Sequence, residues 1–309
     1  MKALITDIGY GDTKYGFLKD GELQLRKFPT AVVRLGPALK TEVEVEGTSD
    51  EMVFEGVRYL VGEEAFFAGK PISTRKKGFI PTYAPLLIAK MIRDSGQEFD
   101  AIAVSVAISD YKREHIETLK KRISSFEING KRYSFSEVYV FPQGYGIYRD
   151  VFPKKTDEAV FVVDIGFNTV DLSFYVNGKP RKEFFRGFPG YGTSRIIRNV
   201  IQRIREETGQ LISEIEANEM MKRGGKIKLL GREYDFSSII ESEKEFYAEE
   251  LFSEIEKELG ESWTRASSRI VAGGGGYFIP EEFKEEMALI IPEAPEFSNV
   301  RGFLEVLNG

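Results

Sequence analysis

The sequence predicts two related α/β domains in one chain. Three observations carry that prediction. Apolar strand-like runs alternate with helical patterns through both halves. The 309 residues exceed the roughly 100–200 expected of a single domain. And one N-terminal segment returns, without gaps, 157 residues later: Leu4-Ile5-Thr6-Asp7-Ile8-Gly9-Tyr10 aligns on Phe161-Val162-Val163-Asp164-Ile165-Gly166-Phe167. At the same offset Phe17 falls on Phe174, and Asp20-Gly21 on Asn177-Gly178.

The elements follow in order. Ala3 to Ile5 is an apolar strand, residues 7–12 a glycine-rich turn, and Lys14 to Leu18 a second strand closed by Asp20-Gly21. Val53 to Val61 reads as a hairpin about Gly56. Pro81 to Arg93 has helical spacing of Leu87, Ile88, Met91 and Ile92. Ala101 to Ile108 is an unbroken apolar run, as a strand buried on both faces requires. Tyr111 to Ile123 is an amphipathic helix, and Val138 to Phe141 a strand ending at Pro142-Gln143-Gly144. Polar residues 154–158 read as a crossing between domains. Ala159 to Val163 then opens the second copy. Tyr191 to Glu206 and Glu241 to Leu259 are helices, and Ile270-Val271 is a strand running into Gly273-Gly274-Gly275-Gly276. Pro280 to Met287 (helix), Leu289 to Ile291 (strand) and Asn299 to Leu307 (helix) complete the chain.

Composition narrows the chemistry. There is no Cys and one His, His115. That removes thiolate metal sites, Cys nucleophiles and multi-histidine metal centres. Carboxylates, amides, hydroxyls, Lys, backbone N–H groups and a hard cation such as Mg²⁺ remain. With 43 Lys+Arg against 49 Asp+Glu the net charge is −6, which argues against a broad basic surface for nucleic acid. No apolar run reaches the ~20 residues of a membrane span, so a soluble cytoplasmic protein is expected. His115 and the runs Arg75-Lys76-Lys77 and Lys120-Lys121-Arg122 read as solvated, and Trp263 reads as core.

The repeated hairpin carries the function. An Asp ends a strand, and a Gly two positions on lets the turn approach a ligand with no Cβ in the way. Turn N–H groups make an anion-binding concavity. A neighbouring carboxylate holds Mg²⁺ through water. Two such hairpins suit a polyphosphate, and Lys14, in the first copy only, adds a positive charge. The glycine run allows close approach of a flat ligand, and Gln143 is able to orient a water by donating and accepting together. No Walker-type Gly-Lys-Ser/Thr and no dinucleotide Gly-x-Gly-x-x-Gly follows the first strand.

Together, Asp7 to Lys14, Phe141-Pro142-Gln143-Gly144, Val163 to Gly166 and Ala272 to Gly275 resemble the actin-like ATPases. The likeness is to the prokaryotic plasmid-segregation branch, the ParM and archaeal actin-like group. Phe28-Pro29-Thr30, Val61-Gly62-Glu63-Glu64 and Pro295 to Phe303, with Arg301-Gly302-Phe303, extend it over nearly the whole chain. The resemblance implies two ribonuclease H-like domains, 1–157 joined by the closing helix 299–309 and 158–298, with ATP or GTP and Mg²⁺ in a cleft between them. Asp7 and Asp164 would hold the Mg²⁺ water shell. Gly9, Tyr10, Gly11, Asp12, Thr13 and Lys14 would line the first phosphate loop, and Gly166, Phe167, Asn168 and Thr169 the second. Gly273, Gly274, Gly275 and Gly276 would pack on the adenosine, and Gln143 would position the hydrolytic water. The family typically forms filaments with ATP, so the implied partners are further copies of the chain and a DNA-binding adaptor in plasmid segregation, with no membrane and no direct nucleic-acid contact. The sequence departs from the family at Asp12, where a neutral residue is usual, and at Phe167-Asn168, where smaller residues are common. A non-polymerising sugar or small-acid kinase of the same superfamily is the alternative. It would need a general base, for which Asp100 and Asp110 are the candidates.

Overall fold

Two mixed sheets of the same design organise the chain. The computed structural model describes residues 1–36, 51–74, 76, 78–108, 111–154, 156–229 and 231–308. Arg75, Lys77, Asp110, Lys155 and Gly309, named above, lie outside the described residues. The chain divides into one compact unit of residues 1–150 with 299–309, and another of residues 151–298.

In the first unit β1 (Ala3–Ile8), β2 (Asp12–Lys19) and β3 (Glu22–Pro29) form an antiparallel meander. A small sheet of β4 (Val32–Arg34), β5 (Met52–Phe54) and β6 (Val57–Val61) follows, with α1 (Glu63–Phe67). Next come α2 (Phe79–Ser95), β7 (Ala101–Val106), α3 (Arg113–Ser124), the hairpin β8 (Ser125–Ile128) and β9 (Lys131–Ser134), β10 (Glu137–Pro142) and α4 (Tyr145–Val151). The main sheet has the order β10-β7-β1-β2-β3, with β7 and β10 parallel to β1. All six residues of β7 are buried, as its apolar run requires. Val104 and Ile102 turn to the α2 and α3 side, while Ile5 and Ala103 meet Val300, Phe303 and Leu304 of the closing helix.

In the second unit β11 (Ala159–Ile165), β12 (Thr169–Val176), β13 (Lys179–Pro180) and β14 (Arg186–Pro189) lead to α5 (Ser194–Thr208) and α6 (Glu214–Lys222). The hairpin β15 (Lys226–Leu229) and β16 (Arg232–Asp235), then α7 (Ser237–Leu259), α8 (Glu261–Thr264), β17 (Ser268–Ala272), α9 (Glu281–Glu286) and β18 (Leu289–Ile290) follow. The last element is α10 (Ser298–Asn308). The sheet runs β13-β12-β11-β17-β18, with β14 also on β12 and with β17 and β18 parallel to β11. Apolar faces of α5 and α7 pack on Phe161, Val163 and Leu172, and Trp263 is buried in this core as the sequence reading expected. No described helix is long and apolar enough to cross a membrane.

The sequence repeat is therefore a repeat of pairing. Asp7 faces Lys14 across β1 and β2, and Asp164 faces Asp171 across β11 and β12, each 157 residues on.

Candidate functional site

The two turns share their hydrogen bonds as well as their sequence. Gly9 N–H donates to the Asp12 carbonyl at 3.2 Å, and Gly166 N–H to the Thr169 carbonyl at 2.9 Å. A Cβ on Gly9 would stand 2.9 Å from the Asp12 carbonyl oxygen and 3.2 Å from Lys14 Nζ, so the lysine amine lies over the bare backbone. The third strand of each meander closes the turn in the same way. Asp12 pairs with Pro29 and Thr169 with Pro189. Thr30 N–H donates to the Gly11 carbonyl at 2.8 Å, and Gly190 N–H to the Asn168 carbonyl at 2.9 Å. The repeat thus reaches Phe28-Pro29 and Phe188-Pro189, at an offset of 160. An alignment held to 157 misses this, although the doubled Phe-Pro was there to be found.

These bonds set the direction of the turn amides. The Tyr10 carbonyl accepts from Thr74 Oγ1 at 3.1 Å. In the second turn the Gly166 and Phe167 carbonyls accept from Thr193 and Ser194 N–H at 3.0 and 2.8 Å. The peptides are all trans, so a carbonyl turned one way turns the next N–H the other. The N–H groups of Gly11 and Asp12, and those of Phe167, Asn168 and Thr169, point away from the segments that hold the carbonyls. That is the geometry of an anion-binding concavity. The segment behind the second turn is seated closely, since a Cβ on Gly192 would come within 2.6 Å of the Phe167 and Asn168 backbone. Tyr247 Oη donates to the Tyr191 carbonyl at 2.7 Å and steadies the same segment. Burial pushes its phenol pKa up, which keeps it a neutral donor. The sequence reading extended the helix back through Tyr191, but α5 begins at Ser194 because residues 190–193 are committed to the turn.

Asp7 and Gln143, far apart in sequence, meet. Gln143 N–H donates to the Val106 carbonyl at 2.8 Å, which sets the residue just beyond the end of β10. Its Nε2 donates to Asp7 Oδ1 at 2.8 Å. Ser105 Oγ, on the neighbouring strand β7, donates to the same oxygen. Asp7 is only 5% exposed, so two donors on one oxygen meet the cost of burying the charge. Nothing in the sequence paired Ser105 with Asp7, because a Ser inside an apolar strand carries no signal alone.

The other candidates divide. Thr13 is fully buried and its hydroxyl pairs with that of Thr30 at 2.8 Å, so its side chain is committed inside the unit. Thr169 Oγ1 donates to Asp171 Oδ2 at 3.2 Å, and Ser194 Oγ donates to Asn168 Oδ1 at 3.4 Å. The glycine run leads toward a helix at the place expected, with one added turn between. Gly274 to Phe278 is a 3₁₀ turn, and α9 starts only after Pro280. Two of the four glycines, Gly273 and Gly275, are demanded by the protein itself, and Gly276 is tightly seated. A Cβ on Gly273 would stand 2.5 Å from Asp164 Oδ1, one on Gly275 would collide with the Ile165 side chain, and one on Gly276 would stand 3.1 Å from Pro295 Cγ. Gly274 alone in the run faces open space. Of the basic runs, Arg122 is partly exposed and meets an acidic residue of its own unit. It pairs with Glu55 at 2.5 Å and lies 4.8 Å from the Phe54 ring, and the pairing holds the Glu55 carboxyl below its usual pKa range. His115 is exposed as expected. Asp100 precedes β7, whose far end carries Ser105, and accepts from Lys2 N–H at 3.0 Å. Five residues of strand, about 16 Å, remove it from the Asp7 site as a general base.

No described group of three or more His, Asp or Glu side chains makes a metal cage. The donor set instead fits Mg²⁺ held through water, because that ion keeps most of its waters and takes one or two carboxylates with phosphate oxygens. Asp7 in the first unit, and Asp164 in the second with Oδ1 against the Gly273 backbone, are the carboxylates that would each accept from such waters.

Comparison with known proteins agrees with the fold. Residues 6–146 match the family model for the N-terminal domain of actin-like proteins, and residues 162–285 that for the C-terminal domain of the MreB-like archaeal actin homologue. No curated protein sequence matches the chain. Among solved structures, the archaeal actin homologue Ta0583 is 20% identical, with 100% of this chain covering 99% of that one at a TM-score of 0.80. ParM from a 15-stranded Clostridium botulinum filament is 17% identical, with 99% and 98% covered and a TM-score of 0.71. Bacillus thuringiensis ParM with ATP is 16% identical, with 100% and 99% covered and a TM-score of 0.71. At these identities the structures speak for the fold, and the two family models lie side by side over most of the sequence. The chain belongs to the actin-like proteins.

Proposed function

We propose that this protein is a nucleotide-dependent, filament-forming ATPase of the cytoplasm that moves or positions DNA through an adaptor. The observation that carries the reading is the duplicated Asp-turn, with Gln143 hydrogen-bonded to the first of its two carboxylates. Solved relatives support it by what they hold: Ta0583 in complex with ADP, B. thuringiensis ParM with ATP, and ParM in a filament. The net charge of −6 favours an adaptor over direct contact with a nucleic-acid backbone.

The residues divide the work. Turn amides from Gly11 and Asp12, and from Phe167 to Thr169, take phosphate oxygens. Lys14 offsets phosphate charge above Gly9. Bound Mg²⁺ would neutralise charge that builds on the phosphates during transfer, with Asp7 and Asp164 holding its waters. Gln143 has a fixed orientation, because a carboxylate only accepts. Nε2 must therefore face Asp7, and Oε1 is the free acceptor for a water proton. A water so held presents its lone pair for in-line attack on the terminal phosphorus. Gly274, with open space at its α-carbon, is the point in the glycine run where a flat base or ribose rests on backbone.

Electron microscopy and pelleting of the purified chain test the reading, with ATP and Mg²⁺ against ADP. Filaments with ATP and fewer with ADP are expected. Absence of polymer at every protein concentration rejects filament formation. Full hydrolysis by Asp164→Ala rejects the assignment of the site.

A further inference from the structure

Beside the carboxylates, the two copies differ on the parallel strand. In the first unit β7 lies parallel to β1 with Thr6 opposite Val104, and in the second β17 lies parallel to β11 with Val163 opposite Val271. Thr6 and Val163 are repeat equivalents, so the next residues on the parallel strands, Ser105 and Ala272, occupy the same place. Ser105 is fully buried and donates its hydroxyl to Asp7 Oδ1, the oxygen that also receives Gln143 Nε2. Ala272 has no hydroxyl to offer Asp164, and the Gly273 backbone closes on Asp164 Oδ1 instead. The carboxylate that carries Gln143 is thus the one with a strand donor behind it.

From this we infer that Ser105 is a positioning residue for hydrolysis, acting through Asp7 on Gln143. With Ser105 in place, Oδ1 has a fixed direction, Gln143 Nε2 has one place to bind, and Oε1 points one way. Without it the carboxylate is free to rotate about its Cβ–Cγ bond, and each rotation carries the amide with it. Ser105 touches neither the turn amides nor Lys14, and Ser105→Ala leaves the Asp7 charge in place to serve the nucleotide, so the larger effect falls on the rate, which depends on the direction of Gln143, rather than on affinity. The inference rests on the hydrolytic role proposed for Gln143.

Steady-state hydrolysis, binding of a fluorescent ATP analogue and thermal melting of the full chain, for wild type, Ser105→Ala and Ser105→Thr, test it. Ser105→Ala is expected to lower kcat about tenfold or more while the Kd for the analogue changes by less than about twofold. Ser105→Thr, which restores the hydroxyl, is expected to recover most of the rate. Three results overturn the inference: an unchanged kcat in Ser105→Ala, a parallel loss of affinity and melting temperature with the rate, or no recovery in a folded Ser105→Thr. A wild type that neither binds nor hydrolyses nucleotide overturns the proposed function itself, and this inference with it.

Discussion

At the scale of single residues, the glycines separate what the fold needs from what a ligand needs. Gly275 has Ile165 against its α-carbon, and Gly9 has the Asp12 carbonyl and Lys14 amine. Any side chain at either position forces its neighbours to move. Gly274 has nothing within 4 Å. Gly274→Ala is therefore expected to melt within a degree or two of wild type, since helix-compatible Gly→Ala changes shift stability by only about 0.4–1 kcal/mol. Its affinity for a fluorescent ATP analogue is expected to fall, because the new methyl occupies the space in which the nucleotide would lie. A normal affinity in Gly274→Ala would place the adenosine elsewhere. Gly9→Ala is expected to lose affinity too, with Lys14 displaced. The residue types at these positions were legible in the sequence. The division of labour among four consecutive glycines was not, because identical letters carry no record of what stands opposite them.

Secondary-structure elements show the same limit from another side. The sequence signals for β1, β7, α2 and α10 are strong, since each carries a long apolar pattern, with α2 and α10 packing on opposite faces of the sheet and β1 and β7 serving both. The small hairpins β8–β9 and β15–β16 escaped notice because four-residue strands with mostly exposed side chains lack that pattern. The Arg301-Gly302-Phe303 segment was recognisable as a motif without its reason. On α10, Arg301 Nε and Nη2 grip Asp150 at 2.9 and 2.6 Å, and Phe303 stacks on Phe141 at 5.0 Å. A Cβ on Gly302 would collide with the Gly146 carbonyl of α4. Gly302→Ala must push two helices apart, and urea denaturation is expected to show a loss of about 1–3 kcal/mol. The start of α6 offers a second check. Ser213 N–H donates to Glu216 Oε2 at 2.7 Å and Glu216 N–H to Ser213 Oγ at 3.2 Å, a reciprocal capping box. The Ser213 backbone amide, and then its hydroxyl, hold the Glu216 carboxyl below its usual pKa. A lowered carboxyl pKa adds stability above the unfolded glutamate value, and that stability goes as pH falls through the folded value. Ser213→Ala is expected to cost about 1 kcal/mol at neutral pH, with the gap to wild type narrowing in acid. A gap that widens in acid would contradict the box.

For the whole molecule, the informative fact is that one turn was used twice and then altered. Both copies keep the strand pairing, the Asp, the Gly and the carbonyl-to-amide closure. They differ at Lys14 against Asp171 and at Ser105 against Ala272. The first copy thus holds an acid opposite a base, with two donors on its carboxylate, and the second holds two acids directly opposite each other. Facing like charges on neighbouring strands are unfavourable by themselves. The pair Asp164 and Asp171 is consistent with a unit that works with a cation present, and Lys14 with one that meets phosphate directly. On the proposed function, the two turns are expected to respond differently to nucleotide. Lys14→Met removes the positive charge and keeps an unbranched, flexible side chain one atom shorter. It is expected to weaken binding of the ATP analogue with or without Mg²⁺, since the lysine acts on phosphate whether or not the ion is bound. Asp164→Asn leaves the fold and removes a charge whose use is the ion, so its loss of affinity is expected only when Mg²⁺ is supplied. Titrating the analogue into both variants, each with Mg²⁺ and with a chelator, reads the distinction. If Asp164→Asn binds as wild type does in Mg²⁺, or if Lys14→Met loses affinity only there, the two turns do not share the work in this way. Filament assembly then follows the same order. Lys14→Met is expected to need more ATP to polymerise, and Asp164→Asn to require more Mg²⁺, both measured by light scattering at fixed protein concentration.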